Sequence, residues 1–204
     1  MSEIKLTYFN GRGRAEVIRL VLAVAGKKFE DVRLDFGKWA EEKKNAPQGT
    51  LPYVTIGGKT KAGQSIAIAR YFARENGLYG KTNLEGLYID EIVDIASELL
   101  NSKAPQSKEK DEKRKAEMEK EFNENTAPRL LKSLDDAISS RGSSGFAVGS
   151  SVSLADLQIF AILGVVQLPD DVVAKYSKLK ANLDKTASLP KVKEWVAKRP
   201  VTNF

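Results

Sequence analysis

A tyrosine, two glycines and an arginine stand close together near the start of the chain, in the run Leu6-Thr7-Tyr8-Phe9-Asn10-Gly11-Arg12-Gly13-Arg14. The apolar residues around Tyr8 predict a strand, and the glycines predict a turn that leads into an amphipathic helix. A phenol hydroxyl beside a bound thiol can donate a hydrogen bond to the thiolate, which lowers the pKa of the thiol. Helix-start amides and the Arg14 charge favour an anion. The run therefore predicts a site for a small anionic thiol, although packing of the ring alone would also explain Tyr8.

The composition excludes most other catalytic chemistry, because the 204 residues include no histidine and no cysteine. A catalytic triad, a cysteine nucleophile, a redox-active cysteine pair and a conventional zinc site each need an imidazole or a thiolate. Tyrosine, lysine, arginine, the carboxylates and the backbone amides remain. We expect no bound cofactor.

The net charge of +6 comes from 33 basic and 27 acidic residues. The densest charge lies in residues 103–121, where the signs alternate and no aromatic residue interrupts them. Pairs such as Glu109 with Lys113 have the i,i+4 spacing of a solvated helix, so nucleic acid is not a predicted partner. No secretory signal and no segment of membrane-spanning length is visible, which predicts a cytoplasmic protein that does not enter a membrane.

Strand and helix signals alternate in the first part of the chain and predict a βαβ unit followed by a ββα unit. The predicted elements are a strand at 4–9, a helix at 14–25, a strand at 28–34, a short helix at 38–44, strands at 53–56 and 59–62, and a helix at 65–75.

Beyond these elements the sequence predicts helices only. Asn83 is the predicted cap of a helix to about residue 102, a second helix runs to about 138, and a glycine- and serine-rich loop follows at 139–145. Ser153 as N-cap and Asp156 at N3 form a capping box for an apolar, buried helix at 154–166. Short helices are predicted at 171–176, 179–186 and 191–198. The predicted fold is α/β plus all-α, with domains at 1–78 and 84–204 and a linker at 79–83.

Three further positions could contact the two ends and the middle of a ligand. Trp39 and Lys43 are four apart and could share a carboxylate, although a half-buried tryptophan beside a solvated lysine fits equally well. The proline in Gln48-Gly49-Thr50-Leu51-Pro52-Tyr53 predicts a cis peptide bond that leaves the Leu51 main chain free to pair with a peptide-like ligand. In Gln64-Ser65, Ser65 is the predicted N-cap of a helix whose open amides could bind a second carboxylate. Ordinary turn and cap roles are the alternatives.

A central thiol, a peptide-like middle and a carboxylate at each end describe glutathione. With these motifs and Ser153-Leu154-Ala155-Asp156, the chain resembles a glutathione transferase of the sigma class along its whole length. The resemblance implies a thioredoxin-like domain followed by an all-helical domain, and a homodimer. It implies detoxification by conjugation of reduced glutathione, as cosubstrate, to hydrophobic electrophiles.

The resemblance also implies roles for individual residues. Tyr8 would activate the thiol and Arg14 would support Tyr8. The residues that hold glutathione would be Trp39, Lys43, Gln48, Gly49, Leu51, Pro52, Gln64 and Ser65, with Glu98 from the partner subunit. The hydrophobic pocket would be lined by Phe9, Gly13, Leu99, Leu100, Leu163 and Phe204.

The chain departs from related prostaglandin synthases at several positions. Thr50 stands where those synthases carry a lysine, and Gln158 stands where an aromatic residue is common. Ser97 interrupts the acidic cluster of Asp94 and Glu98, so no metal site is predicted. A crystallin-like or ligand-carrier protein with the same fold and little activity is the alternative function, although such crystallins tend to be rich in methionine and this chain has two.

Overall fold

The computed structural model describes residues 3–202 and divides them into two compact units. The first unit ends at Leu78 and also includes the chain from Leu189 onward, and the second unit is Tyr79–Ser188. No helix within the described residues is both long enough and apolar enough to cross a membrane.

The strands are β1 (Ile4–Phe9), β2 (Glu30–Leu34), β3 (Tyr53–Ile56) and β4 (Thr60–Gly63). Across residues 3–202 the helices are α1 (Glu16–Val24), α2 (Trp39–Glu42), α3 (Ser65–Glu75), α4 (Asn83–Lys103), α5 (Glu112–Glu121), α6 (Ala127–Arg141), α7 (Leu154–Val166), α8 (Asp170–Val173), α9 (Ser177–Ser188) and α10 (Pro190–Lys198).

The first unit is built on one sheet with the strand order β2-β1-β3-β4. β1 is parallel to β2 and antiparallel to β3, and β3 and β4 form an antiparallel hairpin. Helix α1 connects the two parallel strands, as such a pair requires, and packs against α3 and α10. The predicted thioredoxin-like βαβ-ββα arrangement is confirmed. It places the carboxyl ends of β1 and β2 side by side, with Phe9 opposite Leu34.

The start of α1 differs from the prediction of a helix from residue 14. A 3-10 turn at Gly13–Ala15 precedes the helix, which begins at Glu16. Gly13 has a φ of +39°, which lies outside the helical region, so regular helix cannot pass through this residue.

The second unit is helical, as predicted, and α7 lies at its centre. Helix α7 has the predicted bounds, is buried along most of its length and packs against α4 and α9. The predicted capping box is confirmed, because the backbone N–H and hydroxyl of Ser153 donate to Asp156 Oδ2 at 2.7 and 2.9 Å. The predicted cap of α4 is wrong by one residue, since Thr82 is the N-cap and its Oγ1 accepts from the Glu85 amide at 3.1 Å.

The second predicted helix, to about residue 138, is present, but it starts only at Glu112, contains a π-helical turn and ends at Arg141. A 3-10 segment at Ala104–Lys108 and a π-helical turn at Phe122–Thr126 flank α5, and α6 then runs to Arg141. Proline lacks the amide that continues helical hydrogen bonding, and prolines stand in the 3-10 segment and at the start of α6. The loop predicted to start at residue 139 therefore starts at Gly142, whose amide still bonds to the Ile138 carbonyl.

Candidate functional site

The hydroxyl of Tyr8 lies at the turn between β1 and α1. The ring is buried, and its Oη accepts a hydrogen bond from the backbone N–H of Arg14 at 3.3 Å. Within residues 3–202 the hydroxyl donates to no protein acceptor. Because the Tyr8 hydroxyl accepts this bond and donates none to the described part of the protein, its proton remains available to a ligand.

Gly13 is the residue that lets the turn approach this hydroxyl. A Cβ on Gly13 would lie 2.5 Å from Tyr8 Oη and 2.9 Å from Cε1, too close for any side chain to fit without movement. The residue also has a positive φ, which glycine adopts without steric cost. The contact with Tyr8 and the positive φ therefore explain why position 13 is a glycine.

A cluster of charged residues lies behind Tyr8, with Glu16 and Arg19 buried and the others half-buried. We name it the arginine cluster: Arg12, Glu16, Arg19, Asp31, Arg33 and Arg199. At its centre Arg19 is fully buried and donates to the Gly11 carbonyl at 2.6 Å, to Asp31 Oδ1 at 2.9 Å and to Glu16 Oε2 at 3.3 Å. Its guanidinium carbon lies 5.9 Å from the centroid of the Tyr8 ring.

The remaining members extend the arginine cluster to both sides. Glu16 Oε1 accepts from Trp195 Nε1 at 2.8 Å and from Arg199 at 2.5 Å, so the predicted core position of Trp195 is confirmed. Asp31 Oδ2 accepts from Arg33 at 2.8 Å. Burial, and then the charge of Arg199, lower the pKa of Arg12 below its ordinary value.

The arginine cluster was not predicted from the sequence. One signal was present, because Glu16 and Arg19 stand three apart in a helix whose neighbouring residues are almost all apolar. Charged residues are rarely fully buried unless they are paired, so two of them on an apolar helix indicate a buried ionic contact.

Aromatic rings lie next to Tyr8, around the neighbouring Phe9. The Phe9 ring stacks on Phe36 with a centroid distance of 4.6 Å and meets Trp39 edge-on at 5.8 Å. The Lys43 amide bonds to the Trp39 carbonyl at 2.8 Å, which confirms the helical spacing of these two residues. Trp39 is half-buried and Lys43 is exposed, and their shared carboxylate stays a prediction.

The segment before β3 makes two tight turns. Gln48 and Gly49 both have positive φ, +52° and +61°, and the Leu51–Pro52 peptide bond is cis, as predicted. Over the described residues, the N–H and C=O of Leu51 form no hydrogen bond with another backbone group. The main chain of Leu51 thus fits the predicted pairing with a peptide-like ligand.

The start of α3 corrects the prediction for Ser65. Ser65 is the first helical residue, not the N-cap, and the preceding Gln64 is the N-cap with φ +69° and ψ 103°. The Gln64 carbonyl accepts the first helical hydrogen bond, from the Ile68 amide at 3.0 Å. A glutamine with positive φ is strained, and such strain concentrates at functional sites.

The predicted site residues of the second unit lie on α4 and α7. Glu98 is half-exposed and accepts from Arg129 of the same chain at 2.6 Å. Leu99 is fully buried, whereas Leu100 and Leu163 each keep 9% of their surface exposed. Phe204 lies outside the described residues. The hydrophobic pocket and the role of Glu98 in a partner subunit stay predictions.

A cavity of about 540 Å³ opens at the opposite end of the sheet. Ile4 at the start of β1, Ile56 at the end of β3 and Phe72 of α3 line it, together with charged residues at its edge. Tyr8 and the turn at Gly13 do not line this cavity, so it is separate from the candidate site.

Two family models match the chain. The model described as glutathione S-transferase, N-terminal domain, matches residues 4–74, and the model described as glutathione S-transferase, C-terminal domain, matches residues 97–199. Together they span both predicted parts of the chain.

Three proteins illustrate the similarity. Hematopoietic prostaglandin D synthase of Gallus gallus is 39% identical, with 99% of each chain covered, and S-crystallin SL11 of Nototodarus sloanii is 35% identical over the full length of both. A solved structure of a Nu-class GST from Haemonchus contortus aligns with a TM-score of 0.89 at 34% identity, covering both chains completely.

Proposed function

The chain belongs to the glutathione S-transferase family, and from this premise we propose that it is a sigma-class glutathione transferase. Its reaction is conjugation of the thiolate of reduced glutathione to hydrophobic electrophiles. Glutathione is a cosubstrate, and no resident cofactor takes part. The chemistry then falls to Tyr8 and Arg14, the residue types that a chain without histidine and cysteine still offers.

The observation that carries the proposal is the hydrogen bond from the Arg14 amide to Tyr8 Oη at 3.3 Å. It orients the phenol so that its own proton can be donated to the sulfur of glutathione. The thiol proton leaves to solvent, and the hydrogen bond from Tyr8 stabilises the resulting thiolate. The sulfur then forms a bond to an electrophilic carbon, and the displaced group leaves with its electron pair or a polarised double bond accepts the electrons.

We propose that bound glutathione lies along the turns described above. Trp39 and Lys43 bind the glycyl carboxylate, and the free main chain of Leu51 pairs with the cysteinyl backbone. Supporting this, the start of α3 offers backbone amides at Ser65, next to the strained Gln64, to the γ-glutamyl carboxylate. The positive φ of Gln48 and Gly49 and the cis bond at Pro52 shape the intervening turn.

The second substrate and the dimer complete the proposal. As the sequence predicts, we propose Phe9, Gly13, Leu99, Leu100 and Leu163 as the residues that contact the electrophile, and Glu98 of the partner subunit as the group that binds the γ-glutamyl amine. We infer a homodimer that detoxifies electrophiles in the cytoplasm. Sedimentation of the purified protein tests the dimer, because a monomer would exclude the role of Glu98. Fractionation of the source cells tests the location.

Conjugation of an aromatic chloro-nitro electrophile by the native protein and by Tyr8→Phe tests the reaction. Removing a hydrogen-bond donor from a developing anion lowers kcat by about 10²- to 10³-fold, so we expect a loss of this order with nearly unchanged glutathione binding in calorimetry. Tyr71→Phe is the matched control, since Tyr71 is an exposed tyrosine of α3. Tight glutathione binding with no conjugation by the native protein would contradict the proposal.

A non-enzymatic role is the second candidate, and the similarity to an S-crystallin over the full chain favours it. Such a protein, or a carrier of hydrophobic ligands, would keep the fold and have little activity. The same assay separates the two functions. A carrier binds the hydrophobic compound without turnover, and Tyr8→Phe then changes nothing.

A further inference from the structure

We propose that Arg19 is a positioning residue for Tyr8, and that its buried guanidinium holds the turn that carries the Arg14 amide. The inference rests on the proposed function, because it concerns how the same thiol site is kept in order. Arg19 touches no substrate in this scheme. It acts through the backbone of the turn and through the ring of Tyr8.

The hydrogen bonds of Arg19 converge on the turn. Its Nη1 donates to the Gly11 carbonyl at 2.6 Å and lies 3.4 Å from the Arg12 carbonyl, which also accepts from the Glu16 amide. These carbonyls directly precede Gly13 and Arg14. A shift of the guanidinium would therefore move the amide that holds Tyr8 Oη.

Two carboxylates hold the guanidinium itself in place. Asp31 on β2 accepts from Nε at 2.9 Å, and Glu16 on α1 accepts from Nη1 at 3.3 Å. Both carboxylates have further partners, Arg33 for Asp31 and Arg199 for Glu16. Arg19 is thus fixed from two elements of the first unit, and it is fully shielded from water.

Arg19 also places a positive charge beside the Tyr8 ring. Its guanidinium carbon lies 5.9 Å from the ring centroid, within the range of a cation–π contact. Charges act more strongly in a buried setting than in water.

Fold stability alone is a weak reason for this arrangement. Taking charges out of water is costly, and well-packed apolar residues in place of a buried ion pair are often equally stable or more stable. The rest of α1 is almost entirely apolar at this depth, so a leucine or methionine would suit the position. In addition, Nη2 is buried with no hydrogen-bond partner in the described residues. An arginine with only a structural role would be expected to donate a hydrogen bond from Nη2 as well.

The test measures the pKa of the glutathione thiol in the complex, from its thiolate absorbance against pH, with the native protein and Arg19→Lys. Lysine keeps the charge but lacks the planar guanidinium group, which donates hydrogen bonds to both Gly11 and Asp31. We expect the thiol pKa to rise by about one unit, and kcat/KM at neutral pH to fall about tenfold in proportion. The KM for glutathione should change little, and raising the pH should restore most of the rate.

A second variant covers the case in which Arg19→Lys does not fold. In the double variant Arg19→Gln with Asp31→Asn, amides replace both members of the Arg19–Asp31 pair. Arg33, which also bonds to Asp31, keeps its hydrogen bond to Asn10 Oδ1 at 3.3 Å. The same rise in thiol pKa is expected. If the single variant fails to fold, the result from the double variant decides.

Two controls separate this role from general destabilisation. Leu22→Ala removes a fully buried side chain from the same helix. Lys61→Met removes a cation that lies 5.7 Å from the Tyr53 ring and bonds to the Asn45 carbonyl at 3.1 Å, a similar contact at another tyrosine. Neither control should shift the thiol pKa.

The outcomes of this experiment are distinct. A native protein that binds glutathione but leaves the thiol pKa at its solution value would overturn the proposed function and this inference with it. A lowered pKa in the native protein that is unchanged in the folded Arg19 variants would overturn only the role of Arg19. A rise in those variants, absent from both controls, supports it.

Discussion

Gly13 and Tyr8 are in such close contact that the glycine has no space for a side chain: a Cβ on Gly13 would stand 2.5 Å from the Tyr8 hydroxyl oxygen. The turn therefore brings the Arg14 amide directly against the Tyr8 hydroxyl. The contact links a single backbone position to the group that we propose to activate the thiol.

Gly13→Ala is expected to displace Tyr8 and to lower kcat/KM by about 100-fold, the effect that a misplacement of about 1 Å can have on a catalytic group. The steady-state conjugation assay measures this. Gly26→Ala is the matched control, because Gly26 also has a positive φ, +65°, but an added Cβ would meet nothing within 4 Å. Equal losses of activity in the two variants would show that backbone strain, and not the contact with Tyr8, is responsible.

Gln64 offers a separate test of strain at the glutathione site. Its φ of +69° is unfavourable for a residue with a side chain, so Gln64→Gly should raise the free energy of unfolding by about 1 kcal/mol. Loss of the side chain should at the same time raise the KM for glutathione several-fold. Urea unfolding and steady-state kinetics measure the two effects.

The control for Gln64 is Gln167→Gly. Gln167 ends α7 with a φ of +53° and is not assigned to the site, so its variant should gain stability without a change in KM. An unchanged KM in Gln64→Gly would remove the Gln64 side chain from the proposed glutathione site.

The bounds of α3 and α7 were predictable because local signals mark both ends. Ser153 and Asp156 cap α7, and α3 starts directly after a turn and ends near Gly77. The Ser65 cap was nevertheless predicted wrongly. The sequence pattern does not show that Gln64 adopts a positive φ. This conformation arises because Gln64 alone connects the end of β4 to the start of α3.

The arginine cluster marks the limit of what the sequence could show about the site. The Glu16 and Arg19 pair lies within one helix, but Arg199 reaches Glu16 from 183 residues away along the chain. Asp31 joins from the neighbouring strand. Contacts of this kind depend on the assembled unit, whereas Tyr8, Gly13 and Arg14 are close in sequence and could be grouped in advance.

Asp156→Ala should be one of the most destabilising single changes in the second unit. The buried carboxylate accepts from the Ala147 and Ser153 amides at 2.7 Å each and from Asn182 at 2.6 Å. Loss of several buried hydrogen bonds at once is expected to lower the free energy of unfolding by about 3 kcal/mol. Urea unfolding measures this.

Asp136→Ala is the control for Asp156, because Asp136 is an exposed carboxylate paired with Lys132. Solvent screens exposed ion pairs, so only a small loss of stability is expected. Comparable destabilisation by the two variants would contradict the central role of the capping box in the helical unit.

Tyr53 and Glu42 predict a pH dependence of stability in the first unit. Tyr53 Oη donates to Glu42 Oε1 at 2.5 Å, and burial, followed by this hydrogen bond, raises the pKa of Tyr53 above its ordinary value of 10.0. A raised pKa in the folded state means that the stabilisation is complete below pH 10 or so and is lost as the pH rises through the folded value. Tyr53→Phe should therefore be less stable than the native protein by about 1–2 kcal/mol at neutral pH, and the difference should shrink at strongly alkaline pH. Urea unfolding at both pH values measures it, with Tyr71→Phe as an exposed control. A difference that stays constant as the pH rises would show that folding does not raise the pKa of Tyr53.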